Sequence, residues 1–519
     1  MTMTRRGFLA AGTAALATAK LPAFAQQQLP APIRLAATTR VLDVNGRAAT
    51  VFGLAGPTSQ GLVLDPGQRF RVDLTNNLPE PTLVHWHGQI PPNIQDGVPD
   101  IPRPMLKPGE SRSYDFEPLA GTYWMHSHVP MQEIRLLAAP LIVRSAQDVA
   151  ADRQEVTLFL HDFAFKSPEE VMAEIKQGHG GGSHGSGGTH DEPAKGAGHS
   201  MAPATETKEM DHSAMGHGTM NHDAMGGGMQ GMMRSMMPGM MGDMAGMEMD
   251  LNDYDWDAYL ANDRTLADPE IVRVERGGRV RLRVINAAAA TVFWIDTGKA
   301  AARLIAVDGH DIRPLDGNRF GLAMGQRLDL ELDLPDEAGS WPILALREGA
   351  RERTGIVLAT AGAQITKIPE LAEQEAPAFD TDLSQELLLE ALHGLPERSV
   401  ERSHMVMLGG TMDPYVWTIN GAVWGQHRPV VATTGERVQL SFHNMSMMGH
   451  PMHLHGHVFQ VVDINGRKVD GAQRDTVYVP PMSMVTVSLD AGEAARWMLH
   501  CHHMPHLETG MMTEFQVTA

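Results

Sequence analysis

Short runs in which apolar and polar residues alternate recur along this chain in a fixed order. In Gly67-Gln-Arg-Phe70-Arg-Val72-Asp-Leu74-Thr-Asn76, Phe70, Val72 and Leu74 fall on one side of an extended segment, and Arg71, Asp73 and Thr75 on the other. The pattern returns as Gly277-Gly-Arg-Val280-Arg-Leu282-Arg-Val284-Ile-Asn286 and as Gly435-Glu-Arg-Val438-Gln-Leu440-Ser-Phe442-His-Asn444. Each copy predicts a turn followed by a half-buried strand. A second short run follows each: Leu83-Val-His85-Trp-His87, Val292-Phe-Trp-Ile-Asp296 and Met452-His453-Leu-His455. A third element also repeats. Gly121-Thr-Tyr-Trp-Met-His126-Ser-His128 resembles Arg496-Trp-Met-Leu-His500-Cys501-His502, with Gly339-Ser-Trp-Pro-Ile-Leu344 between them. Three homologous β units therefore share one plan, and the middle one has lost its histidines.

Copies this far apart are repeated domains, not a solenoid. Short strands with frequent turn signals predict β-sandwiches, and helical periodicity is scarce. The expected units are 26–145, 146–363 and 382–519, with a polar, Glu-rich linker over 364–381. Unit two carries an insertion over 178–249 made of Gly, His and Met with little else apolar. It holds a five-residue repeat that places Met210, His212, Met215, His217, Met220 and His222. Without branched aliphatic or aromatic residues it is expected to be disordered. Thioethers select Cu(I) and imidazoles accept Cu(II), so the insertion reads as a copper-collecting arm.

Composition narrows the partners. A chain of 519 residues with 43% hydrophobic content supports about three domains. A net charge of −20 argues against nucleic acid and anionic membrane surfaces, and suits a protein that meets cations. Residues 1–25 read as a twin-arginine export signal: Arg5-Arg6-Gly7-Phe8-Leu9, an Ala-rich apolar stretch, then Ala23-Phe-Ala25. The twin-arginine translocation machinery is thus an expected partner and the bacterial periplasm the expected location. No other stretch approaches the length of a membrane-spanning helix. Cys501 is the single cysteine and has no disulfide partner in an oxidising compartment, so it reads as a metal ligand.

The histidines form four clusters: His85-Trp-His87, His126-Ser-His128, His450-Pro-Met-His453-Leu-His455, and His500-Cys501-His502 with His506 and Met511 beyond. Alternation sends His85 with His87, and His126 with His128, to common faces, and separates Cys501 from His500 and His502. One peptide then touches two metal centres, an arrangement for moving electrons. Eight imidazoles converge if units one and three pack face to face, and suit three copper ions with positions left open for oxygen.

On these motifs the chain resembles the three-domain bacterial multicopper oxidases from about residue 38 to the C-terminus, the insertion excluded. The resemblance implies an all-β fold of three cupredoxin-like Greek-key β-sandwiches. It implies four copper ions: a type 1 ion on His450, Cys501, His506 and axial Met511, and a type 2 ion on His85 and His453. The type 3 pair would use His87, His126 and His502 on one ion and His128, His455 and His500 on the other. Asp96 matches the acid that such proteins keep near the type 2 ion for proton delivery, and Asp96-Gly97 also reads as a turn. A reducing substrate would pass single electrons through Cys501 to His500 and His502, and O2 would be reduced to water.

Axial Met511 implies a moderate potential, suited to Cu(I) as donor. With the export signal and the Met/His arm, the chain is similar to the cuprous oxidases of copper tolerance. It departs from them in placing the Met-rich segment early in unit two, and in having no acid in Met445-Ser-Met447-Met448-Gly449, just before His450. Met447 or Met448 then become candidates for Cu(I) capture. Leu507 stands where such relatives carry glutamate, which puts proton delivery in question. A laccase-like oxidase of phenols or amines, a ferroxidase, a non-enzymatic copper buffer and a copper-free structural relative are the competing readings. A monomer is expected.

Overall fold

The computed structural model describes residues 31–57, 61–178, 251–379 and 382–519. The export signal over 1–25 and Met210, His212, Met215, His217, Met220 and His222 of the insertion lie outside the described residues. What is described is a β protein of six sheets, two in each unit.

Each repeated alternating strand forms as its pattern predicts and sits at the same place in its sheet. Phe70–Asn76 runs parallel to Ile33–Val44, Arg279–Asn286 parallel to Gln154–Phe163, and Arg437–Asn444 parallel to Arg402–Met412. Each has an antiparallel neighbour on its other side: Ser111–Phe116, Arg327–Asp333 and Met484–Asp490. The facing sheets repeat as well. Val84–His87, Gly121–Ser127 and Ala138–Val143 form an antiparallel run. So do Phe293–Asp296, Ser340–Arg347 and Arg353–Ala359, and His450–Leu454, Arg496–Cys501 and Met512–Thr518. In each unit a short parallel strand, Leu62–Leu64, Ile271–Arg273 or Val430–Thr433, completes that second sheet. The fold class is the expected one of three cupredoxin-like sandwiches. Their cores hold the inward positions of the alternating strands, among them Val72, Leu74, Leu282, Val284, Leu440 and Phe442, all with essentially no exposed surface.

The asparagine that ends every repeated strand has a structural reason. Asn76, Asn286 and Asn444 are fully buried. Each side-chain oxygen accepts the backbone N–H two residues on, from Leu78, Ala288 and Ser446. Each amide donates to a carbonyl slightly further along, on Glu80, Thr291 and Met448. This staple sets the path of the loop into the second sheet. Nine residues after each asparagine stand His85, Ile295 and His453. They pair across the sheet with His126, Ala345 and His500. The middle unit therefore fills with Ile295 and Ala345 the place where the outer units hold paired imidazoles.

Residues 364–379 pack on the middle unit, through bridges from Leu371 to Glu352 and from Ala376 to Glu348. The outer units meet directly: Asn93 of unit one is held by Glu493 and by the Arg496 carbonyl of unit three.

Candidate metal centre

The paired strands of units one and three bring His85, His87, His126, His128, His453, His455, His500 and His502 into one chamber. None is more than 5% exposed. Three triplets have potential ligand atoms within 4.8 Å of one another: His85, His87 and His453; His87, His126 and His502; His128, His455 and His500. Cys501 points the other way, as alternation requires. Its Sγ lies 3.7 Å from His450 Nδ1 and 3.6 Å from His506 Nδ1. His450, which alternation sets opposite to His453 and His455, comes from the strand, and His506 from the short helix Met504–Glu508. Met511 is fully buried just beyond, and its carbonyl accepts the Cys501 N–H at 3.1 Å.

The hydrogen bonds assign the protons. A carbonyl only accepts, so a ring nitrogen beside one must carry hydrogen. His85 Nδ1 faces the Asp96 carbonyl at 2.8 Å, His126 Nδ1 that of Ser127 at 2.9 Å, His453 Nδ1 that of Asp475 at 2.9 Å and His500 Nδ1 that of Cys501 at 2.9 Å. His455 Nδ1 donates to Asp96 Oδ2 at 2.8 Å. In a neutral ring the other nitrogen of each is then a bare lone pair. His87 is reversed: its Nε2 faces Asp475 Oδ1 at 3.1 Å, which leaves Nδ1 bare. These bare nitrogens face each other: His455 and His500 at 3.1 Å, His85 and His453 at 3.4 Å, His87 and His126 at 3.4 Å. Two lone pairs cannot hydrogen-bond. Among the described residues, His128 Nε2 and both ring nitrogens of His502 are buried without a hydrogen-bond partner. Shared cations satisfy such a set, and imidazole nitrogen suits copper.

Burial first, and neighbouring imidazoles second, hold His126, His128, His455, His500 and His502 well below the ordinary histidine range. They are neutral, the state a metal needs. At the second centre, Ser446 Oγ lies 2.8 Å from both His450 Nε2 and Asn444 Oδ1; with its one hydrogen on Asn444 it accepts from His450 Nε2, and His450 Nδ1 is then bare toward Cys501 and His506. Burial pushes the Cys501 thiol up, so the thiolate forms when a cation binds beside it.

Four acids surround the two centres. Asp96, singled out in the sequence, reaches both outer units: its carbonyl takes His85 and its Oδ2 takes His455, while its Oδ1, 3.4 Å from His85 Nδ1, makes no hydrogen bond among the described residues. The turn reading of Asp96-Gly97 also holds, since Gly97 has φ +93° and a side chain there would lie 1.9 Å from the Val84 carbonyl. The other three acids were not recognised in the sequence. Glu133, in the helix Pro130–Ile134, lies 3.2 Å from His126 Nδ1, and burial pushes it up to about 8. Asp475 holds His87 Nε2. Burial alone would raise its carboxyl, but the Arg327 guanidinium, 2.5 and 2.8 Å away, keeps it well below the carboxylate range. Asp253, the third residue after the segment outside the description, lies 3.4 Å from Nε2 of both His503 and His506 and accepts from Tyr415. Only its nearness in sequence to a signature histidine could have flagged Glu133. Asp475 and Asp253 stand in no motif.

His457 and His503, which follow the signature motifs in sequence, are buried beside the ligand set: His457 bonds the His455 carbonyl, and His503 stacks on His506 at 3.9 Å. His443 lies on the outer face of the third unit, partly exposed. Met448 is 3% exposed and Met447 half-buried, and Leu507 is buried. A narrow pocket with about 10 Å³ of free space is lined by Met448, Met324, Glu348 and His503, among others.

Comparison with known proteins agrees with this geometry. Three sequence models described as multicopper oxidase match residues 38–148, 230–364 and 398–519, together more than half of the chain. The multicopper oxidase MmcO of Mycobacterium tuberculosis is 29% identical over 98% of this chain and 96% of its own length. Copper resistance protein A of Escherichia coli is 23% identical over 90% of this chain and 88% of its own. The crystal structure of a multicopper oxidase from Pseudomonas thermotolerans superposes with a TM-score of 0.64 at 22% identity, covering 93% of this chain and 98% of that one.

Proposed function

Starting from the fact that this chain belongs to the multicopper oxidase family of copper-dependent, O2-using oxidoreductases, we propose that it oxidises Cu(I) to Cu(II) in copper detoxification. It does so in the periplasm, after twin-arginine export and as a monomer. The observation that carries this reading is the sealing of His506. That ring has no exposed surface. Asp253, Tyr415, Trp417 and His503 enclose it, with Trp417 4.0 Å away between ring centroids. A bulky phenol finds no ring edge to stack on. A small soft cation finds thioethers and a carboxyl group nearby, in the pocket of Met448, Met324, Glu348 and His503.

Four copper ions fit the donor sets: a type 1 ion at His450, Cys501, His506 and Met511; a type 2 ion at His85 and His453; and a type 3 pair at His87, His126 and His502 and at His128, His455 and His500. When bound, copper supplies one-electron oxidation of the donor and four-electron reduction of O2 to water. The chain's own residues supply the rest. Cys501 is bonded through the backbone to both His500 and His502, so the path between the centres is covalent and short. Asp96 ties His85 to His455 and sets a buried carboxyl group beside the oxygen side of the chamber, in the place of a proton donor. Glu133 places a second carboxyl beside His126, in a helix that packs against the one carrying Leu507. Asp475 and Thr476 hold His87 Nε2 and so aim its Nδ1 inward.

The test is steady-state oxidation of Cu(I), Fe(II) and a bulky phenol by the fully copper-loaded chain, with and without residues 178–249. Cu(I) is expected to have by far the highest kcat/KM. A phenol preferred over Cu(I) in both forms would establish the laccase-like alternative. No oxygen uptake with excess Cu(I) at full loading would leave a copper buffer.

A further inference from the structure

Three Met-x-Met pairs, Met405/Met407, Met445/Met447 and Met482/Met484, are far apart in sequence and adjacent in the third unit. The register puts Met407 beside His443, and His443 beside Met484, in one row across three strands. All three are partly exposed. Just beyond the paired strands, the Asn444 N–H donates to the Ser483 carbonyl at 2.9 Å, which holds together the segments that carry Met445 and Met482. Met445 and Met482 are 57% and 56% exposed, and Met405, two residues before Met407 on the same face, is 53% exposed. The His443 ring makes no hydrogen bond or ion pair among the described residues.

The opposite face of these strands shows that this is not a generic apolar surface. There Val406, Leu408, Leu440, Phe442, Val485 and Val487 fill the core, and none is a methionine. Every large apolar side chain among these rows of the outer face is a thioether, and the one imidazole stands between two of them. Thioethers around an imidazole form a soft donor set without a carboxylate, one that disfavours the hard cations Mg2+ and Ca2+ and favours Cu(I). Neighbouring strands lie roughly 4.8 Å apart, so flexible Met407 and Met484 can close on one ion with His443.

We propose that Met405, Met407, His443, Met445, Met482 and Met484 form a surface capture site for Cu(I), distinct from the two copper centres. From it the loop Met445–Gly449 leads through half-buried Met447 and buried Met448 to His450. The binding site stands on the register alone; its role in feeding His450 rests on the cuprous oxidase reading.

The experiment is peroxide footprinting of the full-length, copper-loaded chain, with Ag(I) as the redox-inert probe and each methionine read by peptide mass spectrometry. Sulfoxidation of Met407 and Met484 is expected to slow about tenfold, as for a site about nine-tenths occupied. Met412, 39% exposed but outside the patch, serves as the unprotected reference. A variant combining Met407→Leu, Met484→Leu and His443→Gln is expected to bind one Ag(I) fewer per chain. The single His443→Gln variant gives the same comparison with less change to the surface. Equal protection of Met412, or an unchanged silver count in both variants, overturns the site. With Cu(I) as substrate, the variants are expected to raise KM and leave kcat unchanged; an unchanged KM together with a lost silver ion overturns the feeding role. A chain that binds silver here but does not oxidise Cu(I) refutes the proposed function and leaves the site standing.

Discussion

Replacing Asp475 by asparagine tests how the protein aims its metal ligands. The carboxylate and Arg327 are 1% and 0% exposed, and two guanidinium nitrogens reach its oxygens at 2.8 and 2.5 Å. Its Oδ1 also accepts from the Thr476 hydroxyl at 2.8 Å and from His87 Nε2 at 3.1 Å. The asparagine side chain would have nearly the same shape but no charge and only one acceptor oxygen. If that oxygen takes the place of Oδ2, on the shorter of the two Arg327 bonds, the new NH2 group points at His87 Nε2. The ring must then move its proton to Nδ1, where the bare lone pair now faces His126. Removing one partner of a buried ion pair costs about 3–5 kcal/mol. Asp308 remains near Arg327, through its carbonyl at 3.0 Å and its carboxylate at 3.7 Å, so the expected cost is at the lower end, about 3 kcal/mol. Loss of an outer hydrogen bond to a ligating histidine weakens metal binding by about 10–100-fold. The assay is copper retention per chain against a graded chelator series, with electron paramagnetic resonance of the bound copper, alongside denaturant unfolding of the metal-free protein. Asp475→Asn is expected to lose copper from the His85–His502 chamber first and to keep the ion at Cys501. Full retention at every chelator concentration, with an unchanged resonance spectrum, would refute the tautomer argument even if stability fell.

Three further outcomes follow from the same geometry. Metal-free protein should lose stability as pH falls below about 6.5: His128, His455, His500, His502 and His506 titrate well below their unfolded value, so the unfolded chain binds protons first, at up to about 1.4 kcal/mol per pH unit for each. Urea midpoints at pH 7.5 and 5.5 check this, and equal midpoints would contradict it. Gly97→Ala forces a methyl group against the Val84 carbonyl at a positive φ, so a loss of at least about 2 kcal/mol in thermal or denaturant unfolding is expected, with weakened copper binding at His85. Cys501→Ser should abolish the blue charge-transfer absorption and the oxidase activity while circular dichroism stays that of the native β fold; a surviving blue band would show that another group supplies the thiolate.

The middle unit illustrates how sequence and structure divide the explanation. Its lost histidines are plain in the repeats, and Ile295 and Ala345 replace them as packed core. What it contributes instead could not be read there. Arg327 reaches Asp475 of unit three, Arg283 reaches Thr122 of unit one, and Asp308 holds Arg474. These pairs cross units, and no motif in the sequence joins their members. Asp253 and Glu133 were equally invisible, because a carboxylate joins a site through what lies near it in space. The methionine patch had a visible fragment, three Met-x-Met pairs, but only the register between strands made them one surface.

The sequence by itself determined the strands, the threefold repeat, the facing of each H-x-H pair and the opposed direction of Cys501. Those follow from the two-residue period of an extended chain, which is a local steric property. The tertiary structure alone decided which lone pairs face one another, which acid fixes each ring and how deeply His506 is sealed. Those depend on desolvation and on contacts between residues hundreds of positions apart, and no local period encodes them.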